Sequence, residues 1–510
     1  MSTIDGVPAL DFLQKASVNH GAAHDPDARF NLLFPSAAND ANLGHELPET
    51  FALHLSDTTK VKCQNGTTLE FTNTAFVRAN FTNIASGSDL YQQFGQGNAT
   101  EPQPLSWGLY ALDNKNYTTS LASYPTPLNA TKGADVMGFL PDGAEFADVA
   151  VLSVNSFVPP ISPSDILGGL DVGATLSTEA SLNVTVDFIR AAQASGRTKL
   201  VLDLQGNTGG FLSNMAALYF TLFPGKLLPV LWQARAHPQL AWLGKELLNT
   251  TDPSQLPWYL NNFIKPDGKK WDSFEEFYGP VKRNTGAYTQ ASLTNISADL
   301  NMDAFPNRLP STIPPFQPSD IIILTDGQCG SACAIFTEIL VHAHGVRTIA
   351  LGGRPLNTPM QAIGMTKGGP TIPFVTFPSE VNRSHVPDDL HIPPPARPYR
   401  PPLRVVSSSL VTAWADGIKF NLANMLPFNA SADAQPLQFT YEAANCRLFF
   451  TWEMARDITA AWKAVADAAW RKGKCVPGST TNPDGTMGGV PGYTKAVEDQ
   501  YKLGSGPGAL

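Results

Sequence analysis

No run of about 18 apolar residues occurs in this chain, so no membrane-spanning helix is written in it. The opening residues, Met1 to Gln14, have neither a basic n-region nor an apolar h-region, so no signal peptide is visible. Positive charge is short: 35 Lys plus Arg against 44 Asp plus Glu give a net charge of −9. With a pI near 5.5, this argues against nucleic acid as a partner. Charged residues of both signs reach only 15% beside 43% hydrophobic, an ordinary globular balance low in charge. The 510 residues allow two or three domains and a sizeable core. Cysteine is sparse: Cys63, Cys329, Cys333, Cys446 and Cys475. An odd number leaves one unpaired in an oxidising compartment, and buried free thiols are the other reading. No internal repeat is present.

Sequons, by contrast, are frequent. Asn65, Asn80, Asn98, Asn116, Asn129, Asn183, Asn249, Asn295, Asn382 and Asn429 each open an Asn-X-Ser/Thr triplet. Together with frequent proline and few lysines they point to the secretory pathway or secretion, and make these asparagines glycosylation candidates.

The chain divides by composition. Residues 1–30 read as a strand end, a turn and an amphipathic helix, followed by an Asp/Pro turn and an extended run. Residues 31–145 are β-rich and loop-rich, with a hairpin signal at Gln64-Asn65-Gly66 and long irregular loops over 86–145. From 146 to 475 buried strands alternate with helices, the mark of an α/β domain. One helix shows Leu182, Val186, Ile189 and Ala192 on one face and ends at Gly196. Residues 231–315 interrupt this rhythm as an insertion of helical pieces and polar loops, and 386–403 are proline-dense. A strand or turn and one long helix follow over 436–472, and 476–510 read as a disordered tail.

The chemistry concentrates at SDIIILTDGQCGSACAIFTEIL, residues 319–340. An apolar strand (Ile321 to Leu324) delivers Ser331 to a tight turn, with a helix N-terminus behind it. That suits a serine nucleophile with backbone N–H groups close by. A second strand ends in the glycine turn Gly206 to Gly210, whose glycines allow N–H groups to point outward. Gly209 and Gly210, with the N–H of Ala332, are the candidate oxyanion donors.

Here the residues carry a resemblance. LVLDLQGNTGG resembles the L-x-L-D-L-R-x-N-x-G-G signature of the S41 serine peptidases, the C-terminal-processing or tail-specific proteases. DGQCGSACAIFTEIL resembles the serine motif of the same family, in its fungal branch with chlamydial-protease-like domains. IDGVPALDFLQK resembles the end of a PDZ-like module. The resemblance implies a ClpP/crotonase-like α/β core of stacked strand–helix units behind a partial PDZ-like module, so the chain is expected to lack an N-terminal part. It also implies peptide or protein substrates, no cofactor, and, for fungal members, secretion or the processing of ribosomal precursor peptides into cyclic mycotoxins.

The base is less plainly written. The family uses a Ser/Lys dyad or a Ser-His-Glu arrangement, with the histidine in a Gly-His-Phe-like motif that this chain does not contain. Lys367, 36 residues after Ser331, is the candidate base, because a lysine must be desolvated to be neutral and Ile363 and Met365 flank it. Glu442, the acidic residue of an apolar segment, is the candidate orienting carboxylate. His20 and His24 read as loop residues, His54 as a strand residue, and His342 and His344 as helix-end residues too far along the helix to reach Ser331. Cys329 and Cys333 have no partners for a zinc site and read as core residues or disulfide partners. The sequence thus supports a serine endopeptidase. The alternatives are a peptide-binding pseudopeptidase lacking its histidine and a crotonase-like acyl transfer enzyme. Oligomeric state is not legible.

Overall fold

A computed structural model describes residues 1–18, 23–34, 36–38, 56–73, 81–92, 123–158, 170–224, 228, 230–247, 260–283, 285–294, 313–367, 371–373, 419–421, 423–427 and 434–489. The Pro-rich segment 386–403 lies outside them, as do Asn80, Asn98, Asn116, Asn249, Asn295, Asn382, Asn429, His20 and His54.

The centre is a seven-stranded sheet. Its order is Cys446–Leu448, Arg347–Leu351, Ile321–Thr325, Lys199–Asp203, Val149–Val154, Val136–Phe139 and Asn129–Ala130. The first five strands are parallel, and the last two join antiparallel. Side chains alternate across a strand, and here both faces are covered. Ile321 and Ile323 face Phe188, Ile189, Met215, Tyr219 and Phe336 on helices Leu170–Ala194, Leu212–Leu222 and Ala332–His344. Ile322 and Leu324 face Trp462 and Val465 on helix Ile458–Trp470. Parallel strands buried on both sides read as continuous apolar runs, which is why IIIL and VAVL were legible as strands. The expected face of Leu182, Val186, Ile189 and Ala192 is buried.

Several boundaries differ from the sequence-based expectation. The loop-rich reading of 86–145 gives way at its end, where Asn129–Ala130 and the fully buried Val136–Phe139 extend the main sheet. The N-terminal unit does not close at residue 30. Val7–Pro8 pairs with Thr3–Ile4, Thr3–Ile4 with Thr58–Lys62, and Thr58–Lys62 with Thr68–Thr72 through the Asn65-Gly66 turn, making one four-stranded sheet. The insertion 231–315 carries the expected helical pieces, Pro238–Leu247 and Phe274–Tyr278, and adds antiparallel strands: Phe263–Ile264, Ser292–Thr294 and Leu231–Gln233 form a second sheet with Asn424–Leu426, with Phe263, Phe274 and Phe277 in a small core. The long C-terminal helix is two, because Asp457 caps the second by accepting from Thr459 N at 2.9 Å. Residues 476–489, expected as part of a disordered tail, are packed on the fold. Cys475 is bonded to Cys446, and Ser479 is buried with its hydroxyl accepting from Arg447 N at 3.1 Å.

His24-Asp25-Pro26 opens a helix, Pro26–Asn31, rather than an extended run. Asp25 is its N-cap, accepting from Asp27 N (2.8 Å) and Ala28 N (3.1 Å), and proline fills the first turn, where no N–H is needed. This short helix lies against the loops at the sheet's carboxyl end. Asp27 takes Arg354 at N, Nε and Nη2, between 2.7 and 3.1 Å. Asn31 Nδ2 donates to Asp326 O and Leu351 O.

Candidate active site

Adjacent parallel strands Lys199–Asp203 and Ile321–Thr325 end together, so the two glycine turns emerge side by side. Asp326 ties them: its carboxylate accepts from Gly206 N in one turn (3.2 Å) and from Gln328 N in the other (3.0 Å). Burial pushes Asp326 up to about 6, with the nearby Asp203 adding to it and the two backbone N–H groups opposing. Asp203, also raised by burial, accepts from Trp462 Nε1 at 2.7 Å. Asn207, fully buried, donates to Val154 O at 2.8 Å.

Ser331 sits where the chain leaves the turn for helix Ala332–His344, at φ 49° and ψ −122°. A non-glycine residue at positive φ costs about 1–3 kcal/mol and persists only where its surroundings over-determine it. The surroundings here are close. A Cβ on Gly209 would stand 2.6 Å from Ser331 Cβ, 2.8 Å from Gly330 O and 3.0 Å from Ala332 N. Only glycine lets the first turn approach the serine this closely, and Gly209 (φ 115°) and Gly210 (φ 140°) both take angles that favour it. Ser331 N donates to Thr366 O at 3.4 Å, and its hydroxyl caps no helical N–H. Ala332 N belongs to the first helical turn, which has no intrahelical acceptor.

The expected oxyanion donors need one correction. Gly209 N donates to Asn207 Oδ1 at 2.9 Å, an Asx turn that engages it. Gly210 and Ala332 remain as the candidate pair. Gly210 is itself pinned, since a Cβ there would meet Phe157 C at 2.2 Å.

The expected base is also placed differently. Lys367, 4% exposed, donates from Nζ to Glu442 Oε2 at 2.7 Å and to Thr440 O at 3.1 Å, and stands 4.0 Å from Glu338 Oε1. Its amine is thus engaged by a carboxylate and a backbone carbonyl. The structure thus brings Lys367 and Glu442 together, and Gly209 with Ser331. No hydrogen bond joins Ser331 to Lys367 or Glu442 among the described residues. His342, read from sequence as a helix-end residue, lies in this cluster: Nε2 is 2.9 Å from Glu442 Oε1 and 3.1 Å from Glu338 Oε2. Those two carboxylates raise His342 to about 10 against its partial burial. Burial, aided by Glu442, pushes Glu338 up to about 7, with the His342 contact opposing. Burial alone would also raise Glu442, but His342 and Lys367 outweigh it and hold it well below the usual carboxylate range. Glu338, His342 and Glu442 form a group whose spacing could hold a metal ion. With Lys367 and a protonated His342 already balancing two carboxylates, the donor set fits a proton better than a divalent cation.

His24 lies in the bend before helix Pro26–Asn31, as a loop residue. Its Nε2 is 3.2 Å from Thr366 Oγ1, beside the carbonyl that accepts from Ser331 N, and burial followed by the charge of Arg29 lowers its pKa. It is held there by Asp25, the N-cap of the next helix. Among the sequons, Asn65 is exposed in its turn. Asn129 Nδ2 donates to Val184 O at 2.9 Å in the folded chain. Asn183 is half-buried on helix Leu170–Ala194. The cysteines pair as Cys329–Cys333 and Cys446–Cys475, with Cys63 free.

A parallel sheet that presents a serine at positive φ, at a helix N-terminus and against a glycine turn, defines the framework of a serine-type acyl-transfer site. Known proteins narrow this class. Residues 149–355 match the model for peptidase family S41, and residues 1–82 match the CPAF-like PDZ domain. The chain carries a peptidase S41 domain behind a CPAF-like PDZ domain in a mixed α/β fold. It is similar to the peptidase S41 family protein phomP1 of Diaporthe leptostromiformis, at 28% identity over 91% of this chain and 75% of the relative. It is similar also to the peptidase S41 family protein ustP of Aspergillus flavus, at 27% identity over 82% and 89%. Mature CPAF complexed with lactacystin aligns with 92% of this chain and 75% of its own, at 15% identity and a TM-score of 0.41.

Proposed function

We propose that this protein is a serine-type endopeptidase acting on a protein or precursor peptide. Ser331 Oγ attacks the scissile carbonyl, and the N–H groups of Gly210 and Ala332 receive the oxyanion. The observation that carries this is Ser331 held at φ 49° with Gly209 against its Cβ. Strain of that kind, built around one hydroxyl, is retained where it positions a reacting group. Lys367 acts as base only if substrate binding releases it from Glu442, and general base catalysis is worth about 10²–10⁴-fold.

The secretory pathway or secretion is the location proposed. Two disulfides support an oxidising compartment, and the exposed sequon at Asn65 is compatible with it. The finer role, maturation of a ribosomally made precursor of a cyclic mycotoxin, is proposed on the resemblance to fungal members alone.

A second reading, a peptide-binding pseudopeptidase, is favoured by one observation: the Lys367 amine is engaged by Glu442 and Thr440. Cleavage of dye-labelled casein separates the two. Wild type should cleave, Ser331→Ala should lose activity, and Lys367→Ala should lose most of it. A wild type no faster than Ser331→Ala would support the pseudopeptidase instead.

A further inference from the structure

Ser331 stands midway between two half-cystines. Cys329 and Cys333 are bonded to each other across it, with a sequence separation of 4, and both are fully buried. The bond closes Cys329-Gly330-Ser331-Ala332-Cys333 into a covalent ring. One side of the ring is the end of the nucleophile turn. The other is the first turn of helix Ala332–His344, where Cys333 N donates to Gly330 O at 3.0 Å and Ile335 N to Ser331 O at 3.0 Å.

The non-covalent restraints on this ring from outside its helix are backbone bonds and close contacts. Ser331 N reaches Thr366 O at a long 3.4 Å, and Met365 N reaches Cys329 O at 3.2 Å. Gly330 supplies no side chain to pack, and its place is bounded by Met365 Cβ, 2.8 Å from where a Cβ would stand. A serine at φ 49° stays in place only where its surroundings over-determine it. To the helical bonds and the close approach of Gly209, the disulfide adds a covalent restraint.

We propose that the Cys329–Cys333 disulfide is the positioning element of the nucleophile: a covalent brace that holds the Ser331 backbone and the adjoining Ala332 N–H in reactive geometry. The proposal rests on reading Ser331 as the nucleophile. Its role differs from that of Cys446–Cys475, which closes a longer span of 29 residues and anchors the last strand of the sheet to the segment after the final helix. A bond over a longer loop restrains the unfolded chain more. The longer bridge therefore acts on global stability, and the shorter one on the geometry of one residue.

The test compares wild type with Cys329→Ser/Cys333→Ser, with Cys329→Ala/Cys333→Ala (whose side chains need no buried hydrogen-bond partner), and with Cys446→Ala/Cys475→Ala. Three quantities are measured: the rate of fluorophosphonate labelling, kcat and KM on dye-labelled casein, and amide hydrogen exchange. Removing the brace should slow labelling and lower kcat at least tenfold with KM within twofold. It should speed exchange at least tenfold in peptides covering 329–335 while helix Ile458–Trp470 keeps its protection. Removing Cys446–Cys475 should lower Tm more and leave labelling within twofold of wild type. Folded brace variants that label and exchange at the wild-type rate overturn the proposal. A wild type that neither labels nor cleaves sinks the peptidase reading instead, and the exchange comparison still decides whether the bond restrains the turn.

Discussion

Two polar assemblies share helix Ala332–His344, one at its first turn and one along its later turns, and they are built on opposite principles. Around Ser331 there is little to satisfy and much to restrain: glycines at positive φ, a serine at φ 49°, and a hydroxyl that caps nothing. Around Lys367 the reverse holds. Glu338, His342 and Glu442 crowd the amine until every charge has a counter-charge within 4.0 Å. A strained, open group suits the proposed attack on a substrate. A cluster of paired charges holds two segments in place, here the helix behind Ser331 and the loop whose Thr366 carbonyl accepts from Ser331 N. The difference teaches that titratable residues near a nucleophile are not by that fact its base.

The contrast can be broken most forcefully at Gly209. Gly209→Ala places a methyl 2.6 Å from Ser331 Cβ on a backbone at φ 115°. Fluorophosphonate labelling should fall about 10²-fold or more, since misplacement of about 1 Å costs that much. Labelling within threefold of wild type would show that the two turns do not meet as described. Lys367→Ala tests the other side. It leaves Glu442 with His342 as its remaining ionic partner, and breaking a buried pair costs about 3–5 kcal/mol. Urea unfolding should show a loss at the lower end of that range, because Glu442 is one-quarter exposed. No loss would mean that the cluster does not hold the fold.

A smaller effect sharpens the comparison through pH. Glu338 is raised in the folded state to about 7, so the native protein binds a proton that the unfolded chain has released. Its contribution is fully present below the ordinary carboxylate pKa and is lost as pH rises through about 7. Glu442, shifted the other way, contributes stability above the ordinary value that is lost as pH falls. Glu338→Gln should flatten the decline of Tm between about pH 5 and 8 while leaving the acid limb intact. A decline of unchanged slope would assign that limb to other groups. The smallest effect is at the surface, where Asn65→Gln should move the mass of secreted protein by one glycan and leave Tm within about 1 °C, as surface changes usually do. An unchanged mass would remove Asn65 from the candidate glycosylation sites.

The same comparison explains what was legible in the sequence. The Ser331 turn is local: strand, glycines, serine and helix start lie within about twenty residues, and each has its own signal. The glycine turn is equally local, and the sheet brings the two together because their strands are adjacent. The cluster has no such signal. Glu338 and His342 look like helix residues, and Glu442 is 100 positions beyond His342. They meet because helix Ala332–His344 and the approach to strand Cys446–Leu448 lie together, which no spacing rule anticipates. Asn207 shows the limit within a motif that was found. The turn was recognised, but the asparagine's own carbonyl takes the Gly209 N–H that looked free. Helix Pro26–Asn31 was missed for a related reason, because a D-P-D triplet serves equally as a turn or a capped helix start until its tertiary partners choose.

The central claim is that the two strand-end turns make one reactive serine. Peptide mapping by mass spectrometry after fluorophosphonate treatment of the folded protein tests it most directly. The account predicts one adduct, on the peptide containing Ser331, absent after heat unfolding and absent in Ser331→Ala. An unmodified wild type, or an adduct on another residue that persists in Ser331→Ala, would contradict it.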